Sequence, residues 1–254
     1  MNVNKREWRR IPTACALLLA ASRVVGAVQA PSPEIPVYDV ARVKEGAIIV
    51  DGRLDEPAWK NAAAVQFVFP WEQQTGPKQS TTARLLWDSK NLYVGYECED
   101  AEITAQYLKH DDPTYLDDTV EIFINPNPAG SPSYYGLEMN ARAVLFDYLY
   151  VWPQKLLLRQ VDLVGVRLAT HIDGTLNVSG DKDRGWSLEV AIPWENFRDL
   201  AQDLPPKPGM EWRINMNRWD GVEPHRRLSQ WSNSGLPTPD PHNPERFGRI
   251  RFKP

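Results

Sequence analysis

The sequence predicts an all-β protein, an antiparallel β-sandwich of jelly-roll type with one short helix near residues 55–63. Two segments carry this prediction: LLWDSKNLYVGYECED at 85–100 and LDDTVEIFINPN at 116–127. Both alternate polar residues with aromatic or β-branched ones, the two-residue period of a half-buried strand. Similar short segments recur at even spacing to the end of the chain, which favours two packed sheets.

Residues 1–30 predict an export signal. Four basic residues lie within the first ten positions, an apolar run follows at 13–21, and Val-Gln-Ala at 28–30 offers small residues for cleavage. Arg23 interrupts the apolar run, so a spanning helix of ~20 residues is not available. We therefore expect a mature chain that begins near Pro31 and is exported to the periplasm or outside the cell. An uncleaved amphipathic anchor is the alternative.

The charge of the mature chain disfavours two classes of partner. The whole chain carries a formal charge of -4, and residues 1–30 hold five basic residues and one acidic residue, so residues 31–254 carry -8. An acidic surface disfavours nucleic acid and anionic membranes. Residues 31–254 contain no Gly/Ser-rich linker and no repeat, and they predict a single domain. Their one cysteine, Cys98, predicts a free buried thiol.

The elements follow in order from turn and strand signals. A first strand is expected at 37–43, then a strand at 48–50, a turn at Asp51-Gly52, and a helix that begins near Asp55 with Pro57 in its first turn. Proline clusters mark the later loops. Further strands are expected at 64–70, 82–88, 91–98, 119–125, 134–140, 143–150, 163–172, 186–192, 211–217 and 247–252.

Alternation within three of these strands separates two faces, because successive side chains point to opposite sides of a sheet. The apolar sets are Val120, Ile122 and Ile124; Leu137 and Met139; and Ile214 and Met216. The polar sets are Glu121, Phe123 and Asn125; Gly136, Glu138 and Asn140; and Arg213, Asn215, Asn217 and Trp219. With the apolar sets we expect Leu188, Val190 and Ile192 to form the core.

The polar face has the chemistry of a sugar site. Amides and carboxylates satisfy hydroxyl groups, and an aromatic ring packs against the C–H face of a sugar. The alternative is a solvated outer face of the sandwich, which would also be polar.

Four segments in this order resemble carbohydrate-binding module family nine: 85–100, 116–127, GWSLEVAIPWENF at 185–197 and HNPERFGRIRF at 242–252. The resemblance implies a β-sandwich that binds carbohydrate without cleaving it, beside a glycoside hydrolase or an uptake system. It also implies that Trp59 is a core residue. Family members hold a sugar between two tryptophans, whose positions here are occupied by Tyr115 and Pro241.

The resemblance matches a family carboxylate with Glu121, whereas Glu138 stands where an arginine is expected. Trp219 and Trp231 lie near enough in the pattern to replace the missing tryptophan. The candidate ligand-binding residues are therefore Tyr115, Glu121, Glu138, Asn140, Asn215, Asn217, Trp219 and Trp231.

Four aspartates cluster around residue 115, and the resemblance implies that they bind structural calcium, which prefers six to eight oxygen ligands. These are Asp111, Asp112, Asp117 and Asp118. Their spacing matches no EF-hand, and a solvated acidic loop is the alternative.

Two other classes of function stay open. Glu121 and Glu138 lie on strands expected to be neighbours, where opposed Cβ atoms are ~5 Å apart, a spacing compatible with the two carboxyl groups of a retaining glycoside hydrolase. The resemblance also extends to haem-binding domains of periplasmic electron carriers, with methionine and histidine or lysine as axial ligands. The parity of Met139 and Met216 favours the core instead, and no C-x-x-C-H motif is present.

Overall fold

The computed structural model describes residues 33–254, and the export signal predicted at 1–30 lies outside the described residues. One short helix, α1 (Pro57–Asn61), precedes most of the strands, and a proline in its first turn fits the predicted start. The strands are β1 (Val37–Arg42), β2 (Val65–Gln66), β3 (Thr81–Trp87), β4 (Asn91–Glu99), β5 (Thr119–Asn125), β6 (Tyr134–Asn140), β7 (Leu145–Val151), β8 (Leu156–Leu158), β9 (Arg167–Asp173), β10 (Gly185–Pro193), β11 (Glu211–Asp220), β12 (Arg227–Gln230) and β13 (Gly248–Phe252).

The strands form two layers, which confirms the predicted sandwich. The front sheet has the order β8-β7-β6-β5-β11-β13-β1, with β12 added to the end of β11. The back sheet has the order β1-β3-β4-β10-β9, with β2 added to β3. Strand β1 joins both layers, since Val37–Val40 pair with β13 and Ala41–Arg42 pair with β3. Both of these pairings are parallel, so the sandwich is antiparallel except at β1.

The core lies between the layers and follows the predicted parity. Side chains of Ile122 and Ile124 from the front sheet meet Leu188, Val190 and Ile192 from the back sheet, and all five are fully buried. The prediction for these residues is confirmed. Met139 and Met216 belong to the same core cluster, as their parity predicts. Burial of these apolar surfaces supplies the main driving force for joining the two sheets.

A second apolar cluster covers the outer side of the back sheet. Trp59 of α1 is buried there, and its Nε1–H donates to the buried carboxylate of Glu189 on β10 at 2.6 Å. The backbone N–H groups of Asp51 and Gly52 donate to the other oxygen of Glu189. Gly52 has φ +88°, and a Cβ there would lie 2.4 Å from the carbonyl carbon of Thr170. The buried carboxylate of Glu189 therefore holds the predicted turn at Asp51-Gly52. Trp59 is buried as expected, but in this second cluster and not in the main core.

Several predicted boundaries are wrong for local reasons. Residues 48–50 form no strand, and β2 covers two residues of the predicted 64–70. The strands β8 and β12 were not predicted. The sequence of β12, RLSQ, looks like an exposed loop, yet Arg227 is buried because it pairs with Asp220 of β11 at 2.7 Å.

Cys98 is free and buried as predicted, and burial raises the pKa of its thiol to about 12.

Ile122→Ala should destabilise the protein by ~2–5 kcal/mol, because it removes buried methyl groups and leaves a cavity. Denaturant unfolding would measure the change in free energy. The matched control is Ile49→Ala, whose side chain is 66% exposed and should cost little. An unchanged unfolding midpoint for Ile122→Ala would show that the core assignment is wrong.

Candidate functional site

A cavity of about 610 Å³ opens on the outer side of the front sheet, the side opposite the core. We call it the site cavity. Strands β5, β6, β7 and β11 supply its floor, and the loops before β5, after β8 and around residue 240 supply its walls. Its lining residues are Tyr115, Leu116, Glu121, Glu138, Phe146, Leu157, Arg159, Trp219, Glu223, Arg226, Thr238, Pro239, Asp240, Pro241 and His242.

Two buried carboxyl groups lie in the floor of the site cavity. Glu121 of β5 and Glu138 of β6 are directly opposed in the strand register, and their exposed fractions are 2% and 4%. The hydroxyl of Tyr148 donates to Oε1 of Glu138 at 2.8 Å. Oε2 of each glutamate makes no hydrogen bond with the described residues. Buried polar atoms rarely stay unpaired in proteins, so these two oxygens are available to a ligand.

Both carboxyl groups favour the protonated form. Burial raises the pKa of Glu138 to about 7. Burial and then the charge of Glu138 raise the pKa of Glu121 well above its usual range, and the amide of Asn217 opposes this effect in part. Two acids this close in a dry environment disfavour double ionisation. Near neutral pH the pair therefore offers both hydrogen-bond donors and acceptors.

Two half-buried aromatic side chains stand at the rim. Tyr115 lies in a 3-10 turn (Thr114–Leu116), and its ring centre is 5.8 Å from that of Phe146. Trp219 lies near the end of β11, with the guanidinium of Arg226 5.4 Å from its ring centre. The same guanidinium donates to the backbone oxygens of Tyr115 and Asp117. Arg226 thus fixes the positions of both rim aromatics.

The wall opposite the rim comes from residues 238–242. Pro241 lines the cavity, so this position has no aromatic ring. His242 is stacked between Phe123 and Tyr150, with ring centres at 4.9 and 5.2 Å. Burial lowers the pKa of His242 to about 4, so the imidazole is neutral at pH 7. Its Nδ1 is 2.6 Å from the hydroxyl of Tyr134. The wall is therefore uncharged at His242 and rigidly packed.

The structure brings four of the eight predicted ligand-binding residues to the cavity: Tyr115, Glu121, Glu138 and Trp219. Asn217 lies next to Glu121 in the register but is fully buried and does not line the cavity. Trp231 does not line it either. Its side chain packs in the core, where its ring meets Tyr38 edge to face.

Asn140 and Asn215 also lie outside the cavity, because the fold uses their amides. The Nδ2 group of Asn140 donates to the Tyr107 carbonyl and to Asp117, and its Oδ1 accepts two backbone N–H groups. Asn215 is engaged in the same way with the segment after β12. The assignment of these two amides to a ligand is corrected here, since neither has a free donor or acceptor.

The four aspartates predicted to bind calcium do not converge. Asp112 accepts the N–H groups of residues 108 and 109, and Asp117 accepts those of residues 106 and 107. Asp118 accepts N–H groups from residues 104 and 221 and lies with Asp100 near Asp220. Asp111 lies in a different cluster. Most of these carboxylates therefore fasten loops, and the predicted common ion site is not formed.

Sequence reasoning missed several lining residues, among them Phe146, Arg159, Arg226 and His242. Phe146 lies opposite Glu138 in the register of β6 and β7, so it shares the face of the polar set. The sequence LFDYLYV does not show this, because the one polar residue of the strand, Asp147, has the parity of the core. The other three residues lie in loops, and the sequence has no periodic pattern that predicts where a loop packs against the sheet.

The fold and the cavity define a ligand-binding β-sandwich, with its site on one sheet face and in the adjacent loops. The family is shown by its sequence model, described as carbohydrate family 9 binding domain-like, which matches residues 50–253. This chain belongs to that family, and the resemblance found in the sequence is confirmed.

Relatives share the fold at low sequence identity. A protein from Bacteroides uniformis assigned to carbohydrate binding has a TM-score of 0.69 at 18% identity, over 87% of this chain and 100% of that chain. A family-nine module from Caldicellulosiruptor kristjanssonii in complex with cellotriose has a TM-score of 0.54 at 19% identity, over 85% of this chain and 93% of that chain. Endo-1,4-beta-xylanase C from Paenibacillus barcinonensis is 29% identical over 161 residues, which cover 62% of this chain and 12% of the xylanase. The match thus spans a small part of that relative.

The raised pKa of Glu138 predicts a pH-dependent stability. Between its ordinary pKa of 4.5 and its folded pKa of about 7, the folded protein keeps a proton that the unfolded chain has released. Stability from this group is therefore complete below pH 4.5 and is lost as the pH rises through about 7. The loss is on the order of 3 kcal/mol.

Glu138→Gln should remove this dependence, because a neutral amide has no proton to lose. Thermal unfolding from pH 4 to pH 9 should give similar stabilities for both proteins at acid pH and a more stable variant at pH 9. Other buried acids also titrate, so the difference between the two proteins is the quantity to compare. Parallel profiles would contradict the pKa assigned to Glu138.

Proposed function

We propose that the chain binds carbohydrate in the site cavity. The observation that carries this proposal is the pair of buried carboxyl groups, Glu121 and Glu138, each with an unpaired oxygen, beneath an aromatic rim. Sugar hydroxyl groups need directional donors and acceptors, and two carboxyl groups with raised pKa values can supply both. The C–H face of a sugar ring needs a flat apolar surface, which Tyr115 or Trp219 supplies.

Glucose-containing oligosaccharides are the first ligands to test. The Caldicellulosiruptor kristjanssonii module, which has this fold, has been solved with cellotriose and also with glucose. The wall of the cavity differs from the tryptophan clamp that the resemblance implies, because Pro241 stands there. Trp219, on the other side of the floor, provides a substitute aromatic surface. We therefore expect a sugar ring to stack on Tyr115 or Trp219 and not to be clamped between two tryptophans.

The charge state of the two glutamates favours binding over hydrolysis. A retaining glycoside hydrolase needs one ionised carboxylate as nucleophile and one protonated acid, in environments that push their pKa values apart. Here the pKa values of both groups are raised. In this proposal the chain is a non-catalytic module. Binding of cellotriose without release of reducing ends would support it, and hydrolysis that Glu121→Gln abolishes would overturn it.

We also propose that the protein is exported and acts beside a glycoside hydrolase or an uptake system in polysaccharide breakdown. The basic and apolar start of the sequence supports export. The similarity to part of a xylanase supports an association with glycan degradation. Among the described residues, no helix has the length and apolar character needed to cross a membrane.

Trp219→Ala and Tyr115→Ala should weaken binding of cellotriose or glucose, because each removes a stacking surface. An aromatic contact contributes ~0.5–1.5 kcal/mol, or roughly two- to tenfold in Kd. Isothermal titration calorimetry on the parent and the variants would measure this.

The matched control is Phe69→Ala, which removes a half-buried aromatic side chain outside the cavity. Its affinity should equal that of the parent. If the parent binds a glycan and neither rim variant is weaker while both are folded, the ligand lies elsewhere on the protein.

Mass spectrometry of the protein from its native host should find a mature N-terminus at or near Pro31. This follows from the Val-Gln-Ala sequence at 28–30, which fits signal peptidase cleavage. Recovery of the chain with Met1 in the cytoplasm would contradict export.

A further inference from the structure

A cluster of one histidine and three aspartates lies apart from the site cavity. His110 and Asp111 come from the loop between β4 and β5, Asp147 from β7, and Asp162 from the loop between β8 and β9. One ligand atom from each residue lies within 4.8 Å of those of all the others. None of the four lines the site cavity. Three separate segments of the chain therefore bring potential metal ligands to one point.

Asp147 is the most unusual member of the cluster, because its side chain lies on the face of β7 that is turned toward the core. Its neighbours on that side of the strand are Leu145 and Leu149, which pack against the main core. The Asp147 side chain is fully buried, and the N–H of Leu163 donates to its Oδ2. Its Oδ1 accepts no hydrogen bond from the described residues, although Nε2 of His110 is 3.0 Å away.

A buried carboxylate oxygen without a partner is energetically costly unless a cation balances it. Asp111 repeats the feature: its Oδ1 is also buried without a hydrogen bond, and its Oδ2 is 3.4 Å from Nδ1 of His110. A single half-exposed imidazole faces three carboxylates here. The cluster therefore has more acceptors than protons or cations to satisfy them.

We propose that His110, Asp111, Asp147 and Asp162 bind one divalent transition-metal ion of the zinc type. One imidazole nitrogen and three carboxylate oxygens make the four-donor set of a tetrahedral site. Bonds of ~2.0–2.2 Å place adjacent ligand atoms ~3.3–3.5 Å apart. Nε2 of His110 and Oδ1 of Asp147 are 3.0 Å apart, and one ligand atom from each of the four residues lies within 4.8 Å of the others. Calcium prefers six to eight oxygen ligands, so the imidazole selects against it.

The ion would connect segments that also build the site cavity. The loop that carries His110 continues to Tyr115 at the rim, and the loop that carries Asp162 begins near Arg159 in the wall. The N–H of Asp111 already donates to the Leu145 carbonyl of β7. A metal ion would hold both loops against β7. We therefore expect it to raise the stability of the fold and not to contact the sugar directly.

The test uses the full chain without a histidine tag, stripped with a chelator. Calorimetry with ZnCl₂ should show one ion per chain, and Zn²⁺ should raise the Tm. His110→Ala and Asp162→Asn, which change exposed side chains, should each weaken Zn²⁺ binding at least about tenfold, the scale of losing a metal-site contact. Asp147→Asn should do the same if it folds.

Matched controls are His171→Ala and Asp203→Asn, which lie outside the cluster and should bind Zn²⁺ like the parent. The proposal is overturned if the parent protein does not bind Zn²⁺, or if His110→Ala and Asp162→Asn bind Zn²⁺ with the affinity of the parent. It is also overturned if Ca²⁺ binds more tightly than Zn²⁺ and the His110→Ala variant binds Ca²⁺ as tightly as the parent does.

Discussion

The pairing of β5 with β6 and β11 is the constraint on which both the core and the site depend. In this register Glu121 faces Glu138 on one side and Asn217 on the other, while Ile122 faces Leu137 and Met216. Because side chains alternate, a slip of β5 by one residue would turn Glu121 into the core and Ile122 toward the cavity. Burial of the isoleucines therefore fixes the position of the carboxyl groups, and the low dielectric around them follows from the same packing.

The loops above this floor are held by acids and amides whose hydrogen bonds are all internal. Asp117 and Asp118 accept backbone N–H groups of the 104–107 segment. Asn140, at the end of β6, donates to the carbonyl of Tyr107 in that segment and to Asp117. Arg226 reaches the same region from the other side. Each bond contributes only ~0.5–1.5 kcal/mol, but together they define where the Tyr115 rim can stand. The two aspartates before β5, Asp117 and Asp118, thus serve to hold the neighbouring loop in place.

The sequence predicted the features that depend on periodicity. Alternation in DTVEIFIN and its neighbours placed Ile122 in the core and Glu121 on the opposite face, and turn residues located most strands. Alternation in the sequence does not distinguish a polar side chain that lines a cavity from one that hydrogen-bonds to a loop. Glu138 and Asn140 lie on the same face of β6, and only the tertiary contacts of the loops decide that Glu138 lines the cavity and Asn140 does not. Trp231 shows the same limit, since a tryptophan after a strand can pack inward or line a site. Arg226 and His242 were missed because loop approach depends on tertiary contacts.

We propose that sugar is recognised at the floor of the site cavity. A crystal structure of the protein soaked with cellotriose tests this most directly. We expect a sugar ring stacked on Tyr115 or Trp219, with hydroxyl groups within hydrogen-bond distance of Glu121 and Glu138. Density for cellotriose in another cavity, such as the one lined by His171 and Trp186 on the back sheet, with the site cavity holding none, would contradict the account.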